Sequence, residues 1–178
     1  RAFDQDISNW DVSNVTDMGS MFRWYGGSAP GFNQPIGKWD VSSVTNMGSM
    51  FWGAELFNQP LDNWDVSNVT EMGGMFNSTK SFNQDLNSWD TSNVTDMSDM
   101  FKRNISLSSA NQNFNSWDTS KVTDMSYMFE GTDNMNPQID SWDVSSVTNM
   151  ESMFQDCRLI GYNNTNQAIG SWDVSSVT

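Results

Sequence analysis

The feature that most constrains this chain is a pattern of thirteen residues, W-D-[VT]-S-x-V-T-x-M-x-x-M-F, which occurs six times in full and begins a seventh time. Its tryptophan recurs at intervals of 29, 25, 25, 28, 25 and 30 residues, so the basic unit has 25 residues. Periods of about 20 to 50 residues are typical of arrays whose units contact mainly their neighbours. We therefore expect a single array, a fragment of a longer one, with units near 3–31, 32–56, 57–81, 82–109, 110–134, 135–164 and 165–178.

One unit is too small to fold alone. It offers about eight apolar side chains, each worth roughly 1.5 to 3 kcal/mol when buried. Ordering the chain costs about 1.5 kcal/mol for every residue of the unit. We therefore expect the copies to stack so that Phe lies on Phe and Trp lies on Trp, which buries both faces of every inner unit.

Two short elements are predicted in each unit. The apolar residues at the end of the pattern share one face of a helix, and in the first unit they are Val15, Met18, Met21 and Phe22. Thr16 is placed to cap the N-terminus of this helix. The preceding stretch 7–12 is rich in β-branched and aromatic residues and is short enough for one strand. We therefore expect one short β-strand and one short helical turn per repeat.

The pattern resembles the DUF285-type repeats of BspA-like leucine-rich-repeat surface proteins, and the match runs from Trp10 to Phe22 and through the next five units. In the last three units the leading Phe is replaced by Ala110, Met135 and Thr165. The resemblance implies a leucine-rich-repeat-like solenoid carried on extracellular or cell-surface proteins, many of them adhesins. It implies no catalytic residues.

Composition excludes several classes of function. With 22 acidic against 8 basic residues, the net charge is −14, which disfavours binding to nucleic acid or to anionic membrane surfaces. The chain has no His and a single Cys157, so neither a Cys/His zinc site nor a disulfide framework is available. No long apolar run predicts membrane insertion. No activated nucleophile or acid/base pair stands out, so we expect no enzymatic activity.

Two adjacent columns of the pattern need a physical explanation. The indole N–H of each Trp needs an acceptor, either a backbone carbonyl or an Asp. This column contains Trp10, Trp39, Trp64, Trp89, Trp117, Trp142 and Trp172. Each Trp is followed by an aspartate, which gives Asp11, Asp40, Asp65, Asp90, Asp118, Asp143 and Asp173. Stacked carboxylates repel, so each Asp either accepts from the N–H two residues on in an Asx-turn or binds calcium. We favour the turn, and we expect no cofactor.

Three further patterns favour structure over chemistry. The Thr column is expected to cap helices rather than to bind ice. The paired methionines are expected to fill the core rather than to bind copper(I). Candidates for N-glycosylation are the sequon asparagines in variable loops, Asn77, Asn104 and Asn163.

Function is expected on the loops between units, because the columns are used by the fold. The longest loops follow units one, four and six, and the loops carry a mixture of aromatic and cationic residues typical of interfaces. We define this rim by Arg23, Trp24, Tyr25, Trp52, Lys80, Lys102, Arg103, Ile105, Leu107, Arg158 and Tyr162. The rim is expected to bind a protein or glycan; alternatively, its residues seal the side of the array and balance charge locally.

The chain is therefore expected to be a non-catalytic, extracellular or cell-surface repeat protein that acts in recognition or adhesion. One alternative is a structural subunit of an extracellular filament, in which the partners are copies of the chain itself. A further alternative is a surface array stabilised by calcium.

Overall fold

The computed structural model describes residues 3–25, 31–107, 113–133, 138–157 and 169–178. Across these ranges the only helices are two short 3-10 helices, Phe114–Ser116 and Ile169–Ser171, and there is no α-helix and no β-strand. The predicted leucine-rich-repeat-like solenoid, with a strand and a helical turn in every repeat, is therefore wrong. The described residues form a stack of turns instead.

The backbone turns left-handed once in the first repeat and twice in each of the next five, which is why the predicted helix does not form. Ser49 has a φ of 57°, and Gly53, four residues later, has a φ of 73°. An α-helix needs φ near −60° at every residue, so each of these positions interrupts it. Equivalent positive values occur at Ser20, Gly74, Asp99, Tyr127 and Ser152, and at Ser78, Arg103, Gly131 and Asp156.

In the segment that contains the paired methionines, each of the first five repeats donates four backbone hydrogen bonds to the next repeat. Every second N–H from Met47 to Gly53 donates to a carbonyl of the following repeat, over N···O distances of 2.8 to 2.9 Å. The intervening N–H groups, at Met50, Trp52 and Ala54, donate to the carbonyl three residues earlier in their own repeat. We call this segment the turn ladder; it comprises residues 18–24, 47–53, 72–78, 97–103 and 125–131. Every backbone N–H from 47 to 54 therefore has an acceptor within the protein. The N–H of Gly48 does not take part in the alternation and donates to the side-chain oxygen of Asn46 instead.

A second set of cross-repeat bonds runs in the opposite direction at the Thr column. Thr45 donates its backbone N–H and its Oγ1–H to the carbonyl of Thr16, over 2.8 and 3.2 Å. The same pair of bonds recurs at Thr70, Thr95, Thr123 and Thr148. The prediction that this column caps helices is wrong, because a turn follows it and its hydroxyls bond to the neighbouring repeat.

The stretch 7–12 turns rather than extends. The N–H of Trp10 donates to the carbonyl of Ile7, three residues earlier, over 3.0 Å, and the same turn recurs in later repeats. The indole N–H of Trp39 then donates to that carbonyl of Ile7 from the next repeat, over 3.2 Å. Four further tryptophans repeat this bond: Trp64, Trp89, Trp117 and Trp142. Of the two acceptors considered for the indole N–H, the backbone carbonyl is the one used at these five positions.

The core consists of continuous columns of rings and thioethers. Phe rings at the end of the pattern lie on one another at centroid separations of 5.6 to 5.9 Å, from Phe22 through Phe51, Phe76, Phe101 and Phe129 to Phe154. The leading Phe of a repeat packs face to face on this column, as Phe57 does on Phe51 at 3.9 Å. Ten of the twelve paired methionines are buried, the exceptions being Met21 and Met150. Stacked rings and methionines in the core are thus present as expected.

The fifth repeat shows how the column tolerates a missing ring. Position 110, where the leading Phe is replaced, lies outside the described residues. Phe114 stands where other repeats carry Ile or Leu, is fully buried, and lies 5.4 Å from Phe101 and 4.4 Å from Trp117. In the fifth repeat, the ring that packs on Phe101 in the place of a leading Phe is therefore Phe114, which belongs to the Ile/Leu column rather than to the column of leading Phe residues.

Replacement of an inner ring should cost more than replacement of an outer ring of the same column. Phe76 is fully buried and packs on four other rings, whereas Phe154 is 39% exposed and packs on one. We expect Phe76→Ala to lower the free energy of unfolding by about 3 to 5 kcal/mol, and Phe154→Ala to lower it by much less. Urea denaturation followed by far-ultraviolet circular dichroism measures both, and equal losses would contradict the stack.

Candidate recognition surface

The rim contains one cluster in which a cation lies over two aromatic rings. The guanidinium carbon of Arg23 is 4.6 Å from the ring centroid of Tyr25 and 4.0 Å from that of Trp52. Tyr25 is 83% exposed, whereas Arg23 and Trp52 are half-buried. Attraction between the cation and the ring faces holds the guanidinium in place. We call Arg23, Trp24, Tyr25 and Trp52 the Arg23 cluster.

Gly53 allows the two loops of this cluster to approach closely. The N–H of Trp24 donates to the carbonyl of Trp52 over 2.7 Å, which is the last bond of the turn ladder between the first two repeats. A Cβ on Gly53 would lie 2.4 Å from the carbonyl oxygen of Trp24, and the φ of Gly53 is 73°. The equivalent position holds Ser78, Arg103 and Asp156 in other repeats, and Gly131 in one, where a Cβ would approach the side chain of Arg103 most closely, at 3.3 Å. The close contact with a carbonyl oxygen is therefore found at Gly53 and not at Gly131.

Two donors of the Arg23 cluster have no acceptor. Nε of Arg23 and Nε1 of Trp24 are buried and form no hydrogen bond. Arg23 also lacks a carboxylate: all 22 acidic residues lie within the described ranges, and none comes within 4 Å of its guanidinium. Buried donors without partners are rare in folded proteins. Arg23 is thus a cation positioned by the fold but not neutralised by it.

The other cations described on the rim are neutralised locally. Lys102 lies 2.7 Å from Glu130 and 3.2 Å from Asp99, and its ammonium sits 4.1 Å from the ring centroid of Tyr127. Burial lowers the pKa of Lys102, but the hydrogen bonds to Glu130 and Asp99 outweigh it, so the pKa is raised overall. Arg103 lies 3.8 Å from Glu130 as well.

Lys80 forms a more exposed pair with Glu55, at 2.6 Å. Both side chains are about half exposed, so the pair adds little stability. Its effect is to cancel the charge of Lys80 on the surface. Local charge balance therefore explains three of the predicted rim cations, but not Arg23.

The remaining predicted rim residues divide into three groups. Ile105 is 45% exposed and lies on the surface as expected. Leu107 is fully buried in the core, so its side chain does not lie on a surface that a partner can reach. Arg158 and Tyr162 lie outside the described residues.

The Asp column forms Asx-turns. Asp118 accepts from the backbone N–H of Ser120 over 3.0 Å and from its hydroxyl over 2.7 Å. The backbone bond recurs at the other six aspartates of the column. The favoured explanation of this column is therefore confirmed. No group of three or more acidic, Cys or His side chains placed to hold a metal ion occurs among the described residues.

Comparison with known proteins identifies the repeats. A family model described as "Mycoplasma protein of unknown function, DUF285" matches residues 1–87, 24–108 and 104–178, which together span the whole chain. The chain belongs to the DUF285 family. Neither the curated proteins nor the solved structures compared with this DUF285 chain yield a match.

Two of the three glycosylation candidates of the DUF285 chain are inaccessible in the folded state. Asn77 is 3% exposed, and Asn104 is fully buried with its Nδ2 lacking a partner. An attached glycan would have to displace core residues at either position, so the structure does not support the prediction there. Asn163 lies outside the described residues.

The part of the DUF285 chain that the structure describes contains no helix with the length and apolar character needed to cross a bilayer.

Sequence reasoning missed the network around Lys102. Asp99 and Tyr127 occupy equivalent positions in neighbouring repeats. Lys102 and Glu130 are equivalent as well, because each directly follows the last Phe of the pattern in its own repeat. Aligning the variable positions of adjacent repeats, rather than the columns alone, would have placed these side chains next to one another.

The Asp column should make the stability of the DUF285 chain depend on acid pH. The Ser120 hydroxyl and backbone N–H hold the pKa of Asp118 below its usual value. A carboxyl with a lowered pKa stabilises the fold above its unfolded pKa of about 3.9, and this contribution is lost as the pH falls through the folded pKa. We expect Asp118→Asn to be less stable than the wild type at pH 6, with the difference shrinking below pH 4. A constant difference across that range, in urea unfolding curves, would contradict the hydrogen-bonded carboxylate.

Proposed function

We propose that this DUF285 chain is a non-catalytic recognition protein of the extracellular space or cell surface, and that its rim binds a protein or glycan partner. The proposal is supported chiefly by the contrast between the buried columns and the exposed rim. Tyr25 is 83% exposed and Ile105 is 45% exposed on variable loops, whereas the repeated rings of the second to fifth repeats are almost entirely buried. Large apolar side chains presented on a polar, acidic body are typical of interaction sites.

Within this proposal, we assign the main binding contribution to the first two repeats. Lys80, Lys102 and Arg103 have carboxylate partners and serve to balance charge. The Arg23 cluster combines an unpaired guanidinium with an exposed ring and a half-buried ring. Aromatic and Arg side chains dominate binding energy at interfaces.

The finer proposal is an adhesive role like that of BspA-like surface proteins, which the repeat pattern resembles. Support for it comes from the repeat residues themselves and not from a shared leucine-rich-repeat fold. A non-catalytic role is favoured because the chain has no His and its Asp column is held in structural turns.

The proposal predicts that binding depends on exposed rim side chains. The purified chain is applied to a printed array of glycans and secreted matrix glycoproteins, next to the double variant Tyr25→Ala with Ile105→Ser. Since both side chains are exposed, the variant should fold normally. We expect bound signals to fall at least about tenfold, the loss typical of an interface anchor.

The matched control is Lys38→Gln with Asp62→Asn, a pair of exposed residues away from the rim. Its binding should stay within about twofold of the wild type, because surface changes outside an interface have small effects. A rim variant that binds as well as this control, or a wild type that binds nothing on the array, would refute the proposed role of the rim.

A further inference from the structure

We propose that the Arg23 cluster binds a sugar that carries a carboxylate, such as a uronic acid or a sialic acid. This inference rests on the proposed function, because it assigns a ligand class to the same rim. It does not follow from that function, since a rim can bind neutral glycans or proteins as well.

The first step is the state of the Arg23 charge. The guanidinium carbon is fixed over the rings of Tyr25 and Trp52, at 4.6 and 4.0 Å, and has no carboxylate within 4 Å anywhere in a chain that carries 22 acidic residues. Ring faces attract the charge but do not satisfy the N–H donors of the guanidinium fork. Carboxylates and phosphates are the groups that match this fork with paired hydrogen bonds.

The second step is the charge of the surrounding molecule. A net charge of −14 repels polyanions at long range, so phosphate polymers and strongly acidic peptides are poor partners. One unpaired guanidinium suits a ligand with a single carboxylate at the point of contact and an uncharged remainder. A carboxylate is favoured over a phosphate because it carries less negative charge and is therefore repelled less by the negatively charged protein.

The third step is the shape of the cluster. Tyr25 presents its ring to solvent, with 83% of its surface exposed, next to the half-buried ring of Trp52. Pyranose rings have faces of C–H groups that pack on aromatic side chains, and hydroxyl oxygens around their edges. Nε of Arg23 and Nε1 of Trp24 are donors without acceptors at this place. Side-chain rotation on binding would bring such oxygens within reach of them.

A peptide carboxylate is the competing ligand. Peptides that bind along a surface generally pair their backbone with a strand edge or occupy a groove. The described residues contain no strand that offers such an edge. The cluster therefore favours a compact ring with one acidic group over an extended chain.

The test compares acidic sugars with their neutral counterparts. The probes are a galacturonate-terminated disaccharide, a glucuronate-terminated disaccharide and sialyllactose, each with one carboxylate and each paired with the same molecule after reduction of that carboxylate to an alcohol. Isothermal titration calorimetry with the 178-residue chain measures each affinity. We expect at least one acidic probe to bind at least about tenfold more tightly than its reduced form, the effect of a charge-assisted hydrogen bond.

Matched variants locate the site. Arg23→Gln should abolish the preference for the acidic form, while Lys80→Gln, on the same rim but paired with Glu55, should leave it within about twofold. Circular dichroism confirms that both variants fold. The proposal is overturned if no acidic probe binds, if acidic and reduced forms bind equally, or if Arg23→Gln binds as the wild type does.

These outcomes separate the ligand class from the wider function. Binding of a reduced sugar that depends on Tyr25 would leave the rim as a recognition surface and overturn the carboxylate. If a Glu-terminated tetrapeptide bound and no acidic sugar did, the acidic-sugar proposal would be overturned. The rim would remain a recognition surface, and the cluster would be assigned to a protein partner.

Discussion

The structure depends on the turn ladder, in which alternate backbone N–H groups bond to the next repeat and the others bond within their own. From the second repeat to the fifth, the residues that donate the second and fourth of these bonds are left-handed, as Ser49 and Gly53 are. A helix would satisfy the same N–H groups inside one repeat and leave the repeats to meet through side chains alone. The ladder instead makes neighbouring repeats part of one hydrogen-bonded network, so a repeat of 25 residues is ordered by its neighbours.

The ladder also fixes what each column must contain. Bonds in register bring equal positions over one another, so Phe76 lies between Phe51 and Phe101, at 5.7 and 5.8 Å. Stacked rings tolerate such repetition, since each buries the next. Stacked carboxylates do not, and each Asp of the column is held by the Ser two residues on. Positions free of these demands lie on the rim, and there the Arg23 cluster combines a charge, exposed rings and unsatisfied donors.

The sequence predicted the side-chain contacts between repeats better than it predicted the backbone conformation. Ring-on-ring columns, the carbonyl acceptor of the Trp indole and the Asx-turns follow from residue chemistry at a fixed period, and they are present. The helix at 15–22 was wrong because apolar spacing of three and four is shared by a helix and by a series of tight turns, and the left-handed φ of Ser20 has no signature in a serine. On the rim, the pairing of Lys102 with Glu130 follows only when the variable positions of adjacent repeats are aligned. The burial of Leu107 depends on the path of its loop, which the repeat pattern does not encode.

The most direct test of the turn ladder is the scalar coupling that NMR detects across a hydrogen bond, measured between the amide nitrogen of Phe76 and the carbonyl carbon that accepts from it. The account predicts a coupling to the carbonyl carbon of Met100 in the following repeat, whose oxygen lies 2.9 Å from this nitrogen. A coupling to the carbonyl carbon of Met72, four residues earlier in the same repeat, would show a helix and would contradict the ladder.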